Sequence, residues 1–360
     1  MNTRQLREYR LIQQGITHAE IHTPLEIIKN LGAMQGQDYH GSLWAIGLRT
    51  GLTQREVIKH IEKREIIRTW PQRGTLHFVP PNDSKWMVGL SAERLVKGAA
   101  RRREQLGIDD ETFLSSEKIL RRAFLKEKLL SRPKILKFLE EGGISVSDGR
   151  GYHILWYLAQ IGILLIAEMD GKQQTFGLLE VLFPEAKLLG RPDAIKLLAK
   201  RYFTSHGPAT LQDFVWWSGL TVKDARLGVI ENAHVLRSEL IGDTEYWLGK
   251  DATLPNASKR TAYLLPGFDE YFLGYKDRAV VIDLTFMQQV VPGNNGMFKP
   301  TIIIDGRVVG TWQRVLKKNR VTVKLFPFKK LNATDEDLLT IPAKQYADFI
   351  ELPVETEIVY

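Results

Sequence analysis

Helices followed by a hairpin recur in one order three times along this chain, and that recurrence limits its possible folds more than any other feature. Thr23-Pro24-Leu25-Glu26 has the form of a capping box with proline in the first helical turn. Apolar residues at helical spacing, from Leu25 through Ile28, Leu31 and Ala33, carry that helix to about Met34. A second box, Thr53-Gln54-Arg55-Glu56, opens a helix whose Val57, Ile58 and Ile61 share one face. EIIRTW and TLHFV then flank Pro71-Gln72-Arg73-Gly74, which reads as a β-hairpin with a turn rich in breakers.

The order returns twice. KILKFLEEGG after Ser131-Arg132-Pro133 and GYHILWYLAQ read as helices, and ILLIAEMDGKQQTFGLLE as a hairpin about Asp170-Gly171. Asp193–Phe203, LQDFVWWSG capped by Thr210, and VKDARLGVIENA capped by Thr221 are the helices of the third set. HVLRSELIGDTEYWLG is its hairpin, about Gly242-Asp243. The sets share element order and not letters. Two or three helices and then a hairpin is the order of a winged helix, a helix-turn-helix core with a β wing. Past residue 255, AYLLPGF, RAVVIDL, PTIIIDGRVVGTW, RVTVKLFPF and VETEIVY are short β-rich runs, with one helix candidate, TDEDLLTIPAKQYADFI, among them. The expected fold is therefore α+β: three tandem winged-helix units over residues 1–110, 111–190 and 191–255, then a small C-terminal β-barrel-like domain over 256–360.

Composition narrows the functional classes. The chain has no cysteine, which removes disulfides, thiolate metal sites and thiol nucleophiles and fits a cytoplasmic setting. No apolar run approaches the ~20 residues of a membrane span, and MNTRQLREYRL lacks the pattern of a signal peptide. The 50 Lys and Arg exceed the 42 Asp and Glu, a balance suited to a polyanionic partner. The cations cluster: Arg94, Lys97, Arg101, Arg102 and Arg103; Arg121, Arg122, Lys126 and Lys128; and Lys317, Lys318 and Arg320. Each cluster reads either as a phosphate-binding face or as a solvated helix face. There is no H-E-x-x-H, no P-loop, no G-x-S-x-G and no dinucleotide fingerprint. An enzyme of this composition would work with polar and charged side chains, without a metal or cofactor.

MQGQD at residues 34–38, RTWPQRGTLHFVPPND, SHGPATLQDFVWWSGL, LLPGFDEYFLGYKDR and NNGMFKPTIIIDGRVVGTWQR together resemble the AlkZ-like winged-helix DNA glycosylases, over residues 5 to 320. The resemblance implies three winged helices and a β-barrel around a DNA-sized cleft. It implies hydrolysis of the N-glycosidic bond of N7-alkylated purines, some of them in interstrand crosslinks, with no metal and no lyase step. The family's catalytic element, two glutamines around an aliphatic residue, falls on Gln35 and Gln37; the middle residue here is Gly36. An N7-alkylguanine is cationic and departs as a neutral base. The remaining work is to stabilise sugar cation character and to place water, which amide dipoles can do. Without the resemblance, two glutamines at this position read as caps for the preceding helix.

The neighbouring residues carry two readings each. Asp38 is an accessory general base or a carboxylate making turn hydrogen bonds. Trp44 reads as core. With strict alternation His77 shares a strand face with Thr75 and Val79, which makes it an accessory cleft residue or a satisfied structural histidine. Arg73 at the wing turn and Arg101, Arg102 and Arg103 are candidate DNA contacts, joined by Lys276 and Arg278, for which an ion-pair cluster with Asp269 and Asp277 is the alternative. The expected partner is damaged double-stranded DNA, bound by a monomer with no protein partner and no membrane. A non-catalytic DNA-binding regulator with a degenerate QGQ element is the rival, favoured by Gly36 and disfavoured by the lack of a dimerisation helix. A protein-interaction scaffold is a third possibility.

Overall fold

A computed structural model describes residues 1–17, 23–171, 173–251 and 259–360. The chain is mixed α+β and divides into two compact units, one of residues 1–58 with 195–360, the other of residues 59–194. The expected boundary at 255 lies outside the described residues. Among the described residues no helix is long and apolar enough to cross a membrane.

The 59–194 unit is built on an antiparallel sheet. Ile67–Gln72 pairs Thr75–Val79 in the first expected hairpin, and Leu164–Asp170 pairs Gln173–Leu178 in the second. The two hairpins join through Arg68 opposite Ile166, and Leu130–Ser131 adds a short edge strand beside Thr175 and Phe176. Helices Asp110–Phe124, Arg132–Glu141 and Arg150–Gln160 close over the sheet. Phe113, Leu120, Ile135, Leu158, Ile166 and Phe176 form the core between them.

In the other unit, the third expected hairpin is present as Leu236–Ile241 with Thr244–Gly249. A five-stranded sheet holds, in order, Ala262–Leu265, Thr301–Ile304, Arg307–Lys317, Arg320–Pro327 and Val354–Ile358. The first four are antiparallel; the last runs parallel to its neighbour, reached by helix Ala333–Ile350 as a crossover.

This sheet corrects the barrel expectation. Closure requires the two outer strands to pair, and among the described residues Ala262–Leu265 and Val354–Ile358 do not. The crossover helix covers the sheet instead, burying Leu339, Ala343, Tyr346 and Ala347. RAVVIDL, expected as a strand, is a turn in which Val281 and Ile282 are buried and both donate their N–H groups to Arg278 O. A short apolar run has the same letters in either role.

Candidate active site

The helix before the glutamines starts as its letters require. Thr23 and Glu26 exchange capping bonds, Pro24 occupies the first turn, and Ile27, Ile28 and Leu31 are buried. It ends at Leu31, earlier than the expected Met34, because Gly32 turns into the left-handed region at φ 84°. The C-cap residue of that helix is Gly32, and the glutamines follow it. They lie on an extended link, Met34–Gln35 and then Gly36 and Gln37, which runs into a helix from Tyr39 to Thr50 that the letters did not announce.

Asp38 starts that helix: its carboxylate accepts the Gly41 N–H at 3.0 Å. One turn further on, Trp44 is core, its indole N–H on Leu264 O at 2.7 Å.

Gln35 is buried at 6% exposure, and its side-chain Oε1 accepts the Gln37 N–H at 2.9 Å. That bond closes a tight turn over Gly36. The Gln37 side chain is exposed. The Gln35 backbone N–H donates to Glu270 Oε1 at 3.0 Å. Glu270 is wholly buried; its Oε2 accepts the Trp217 indole N–H at 2.9 Å and lies 3.4 Å from His206 Nε2. His206 is also wholly buried, with Nδ1 2.8 Å from Ser205 Oγ. Burial holds its pKa below the usual 6.5 against the opposing pull of Glu270.

The frame around this cluster comes from the same motifs. Asp269 caps the short helix Glu270–Leu273 and forms a buried pair with Arg49 through two bonds of 2.8 Å. Arg49 also donates to Gln14 O and Ala45 O. A Cβ on Gly274 would stand 2.5 Å from Glu270 O and 2.8 Å from His206 Cδ2, so only glycine fits there. The Tyr275 hydroxyl donates to His206 O at 2.7 Å and accepts from Gln14 Nε2 at 2.9 Å; burial pushes its pKa up. Asp213 receives the Thr210, Lys276 and Asp277 N–H groups and ties the helix Leu211–Ser218 to this loop.

Glu270 and His206 were not among the residues singled out from sequence. The signal was present: an acid inside FDEYFLGY and a histidine before Gly-Pro, ionisable groups in apolar surroundings that must be partnered if buried. Trp217 is core, whereas its neighbour Trp216 is 41% exposed.

The expected DNA contacts divide by environment. In the 59–194 unit, Arg73 is at the hairpin turn with φ 52°, and its guanidinium lies 3.4 Å from His77 Nε2. His77 is wholly buried, and its Nδ1 is 2.9 Å from Thr75 O. That carbonyl can only accept, so Nδ1 carries the proton and Nε2 accepts from Gln72 and Arg73. Arg101 and Arg102 are exposed on helix Ala100–Gln105, while Arg103 is engaged by Asp110, Ile108 O and the Phe113 ring. In the other unit Lys276 is exposed. Arg278 donates to Phe272 O and lies over the Trp216, Phe272 and Phe298 rings. Among the described residues no three His, Asp or Glu side chains gather as metal ligands.

Residues 28–349 match the family described as DNA glycosylase AlkZ-like. An interstrand DNA cross-link repair glycosylase of Streptomyces sahachiroi is 24% identical over 346 residues, 89% of this chain and 90% of that one. The solved structure of the DNA glycosylase AlkZ from the same organism superposes with a TM-score of 0.83 at 22% identity, covering all of both chains. At that identity the likeness speaks for the fold.

Proposed function

Because the chain belongs to the AlkZ-like family of DNA glycosylases, we propose that it hydrolyses the N-glycosidic bond of N7-alkylated purines in duplex DNA, with Gln35 and Gln37 as its catalytic residues. The observation that carries this reading is the turn itself. Gln35 is buried and fixed by its backbone on Glu270, and its amide oxygen draws in the Gln37 N–H, leaving the Gln37 side chain exposed. A preorganised amide in that position can face a sugar carbon without moving when charge develops there.

The reaction asks little more. The C1′–N9 bond breaks, its electron pair neutralises the cationic base, and a water oxygen bonds to C1′ and loses a proton to solvent. The Gln37 amide orients that water or the sugar cation, and the second lone pair of Gln35 Oε1 supports it. Asp38 serves as a helix cap and His77 as a structural brace of the hairpin. Arg73, Arg101, Arg102 and Lys276 contact phosphates; Arg103 and Arg278 stiffen the segments that present them. Crosslinked purines are included because the Streptomyces relative is named for their repair. The three helix–hairpin sets serve as winged helices, and the protein acts on DNA as a cytoplasmic monomer.

The test compares wild type, Gln35→Ala and Gln37→Ala on duplex carrying N7-methylguanine, with alkali-labile abasic sites counted over time. Wild type releases the base, and each variant is slower by about 100-fold or more while binding the duplex as before. Variants that excise at the wild-type rate would remove the glutamines from catalysis. A wild type that binds and releases nothing would remove this substrate.

A further inference from the structure

Resting on that reading of the glutamines, we propose that Glu270 is the positioning residue of this site: its two carboxylate oxygens together fix the turn that presents Gln37. A carboxylate with no exposed surface is costly to bury unless each oxygen is well bonded. Both are. Oε1 takes the Gln35 backbone N–H at 3.0 Å and Oε2 the Trp217 indole N–H at 2.9 Å, with His206 Nε2 at 3.4 Å on the same oxygen. N–H bonds to an ionised carboxylate are roughly twice as strong as those to a neutral acceptor.

Glu270 is itself immobilised. Asp269, held by Arg49 through two bonds of 2.8 Å, caps the helix that Glu270 begins. Gly274 ends that helix in close approach to His206, where a Cβ would stand 2.8 Å from His206 Cδ2. A continuous path of bonds therefore runs from Arg49 through Asp269 and Glu270 to Gln35, and from the Gln35 side chain to Gln37. The side chain of Glu270 meets the catalytic segment at its backbone, so it acts on geometry and not on the reacting bond.

The chemistry gives a specific signature. Two N–H donors approach from two directions, and only a group with two acceptor oxygens satisfies both. Glu270→Gln keeps size and shape but turns an NH2 toward one donor. Trp217→Phe removes the second donor, and in that background the amide can give its oxygen to Gln35 and its NH2 to His206 Nε2, which accepts when Nδ1 carries the proton. On duplex N7-methylguanine under single-turnover conditions, Glu270→Gln slows excision about 100-fold, the scale of a 1 Å misplacement. DNA affinity stays within about threefold, since a wholly buried carboxylate presents no surface to DNA. In the Trp217→Phe background the same change costs less than about tenfold. A role in stability alone predicts a lowered Tm, no such rescue, and a rate that recovers on cooling; that pattern would overturn the proposal.

A second measurement does not depend on the substrate. In protein labelled with 15N-glutamine, the Gln35 amide resonance lies downfield in the wild type, and in Glu270→Gln it moves upfield and exchanges faster with solvent. An unchanged Gln35 amide overturns the proposal. If the wild type excises nothing, the fault lies with the glutamine reading, and the resonance still decides whether Glu270 holds the turn.

Discussion

Asp38 carries a carboxylate one residue past Gln37, and its bond to the Gly41 N–H makes it the first cap of a helix. A capping oxygen survives amidation, so Asp38→Asn keeps excision within about threefold, whereas loss of a general base costs 10²- to 10⁴-fold as a rough range. Asp38→Ala lowers stability by about 1 kcal/mol, measurable by urea unfolding. The Arg49–Asp269 pair answers to a harsher rule. Both side chains lie in the core, so Arg49→Met strands a buried carboxylate and costs about 3–5 kcal/mol. His206 ties stability to pH. Its folded pKa is below the usual 6.5, so the unfolded chain takes up the proton more readily. Stability is complete above 6.5 and falls as pH drops below it. Urea midpoints taken from pH 7.5 down to about 5.5 fall in the wild type and fall less in His206→Gln.

At the scale of elements, the letters spoke through local chemistry and fell silent where tertiary contacts decided. Capping boxes at Thr23, Thr53 and Thr210 and the three hairpins all rest on bonds within a few residues, and all three boxes formed. The helix over Tyr39–Thr50 carries little local signal, because it starts at a single aspartate after Gly36 and Gln37 with no apolar period leading into it. RAVVIDL is a turn because the Val281 and Ile282 N–H groups bond back to Arg278 O, although Val281 O takes the Val308 N–H of a strand. The site was half legible. The resemblance pointed to Gln35 and Gln37, but their support by Glu270 joins residues 235 positions apart, a distance no local pattern spans. Two capping boxes make this difference measurable. Thr23→Ala removes an exposed cap and costs about 1 kcal/mol. Asp213→Ala also removes the acceptor of the Lys276 and Asp277 N–H groups, adding about 0.5–1.5 kcal/mol for each bond lost. Equal unfolding midpoints for the two variants would contradict that coupling.

Over the whole molecule the surplus of 50 basic over 42 acidic side chains gives a net charge of +8. Several of the cations are engaged within the fold. Arg49, Arg64, Arg103 and Arg121 are paired with carboxylates, and Arg278 is spread over three aromatic rings. Affinity for a duplex depends on cations that release counterions from phosphate, and Arg101 and Arg102 are exposed on one short helix. If each contacts one phosphate, the slope of log K against log salt falls by about 0.9 per arginine replaced. Duplex binding measured from about 50 to 200 mM salt therefore gives a slope shallower by about 1.8 for Arg101→Ala combined with Arg102→Ala. Affinity drops alike for damaged and undamaged sequences, because phosphate contacts carry no base information. The Gln37→Ala variant leaves the slope untouched, since an amide displaces no counterion. A double arginine variant with the wild-type slope would move the phosphate contacts to other cations, Arg73 and Lys276 first among them.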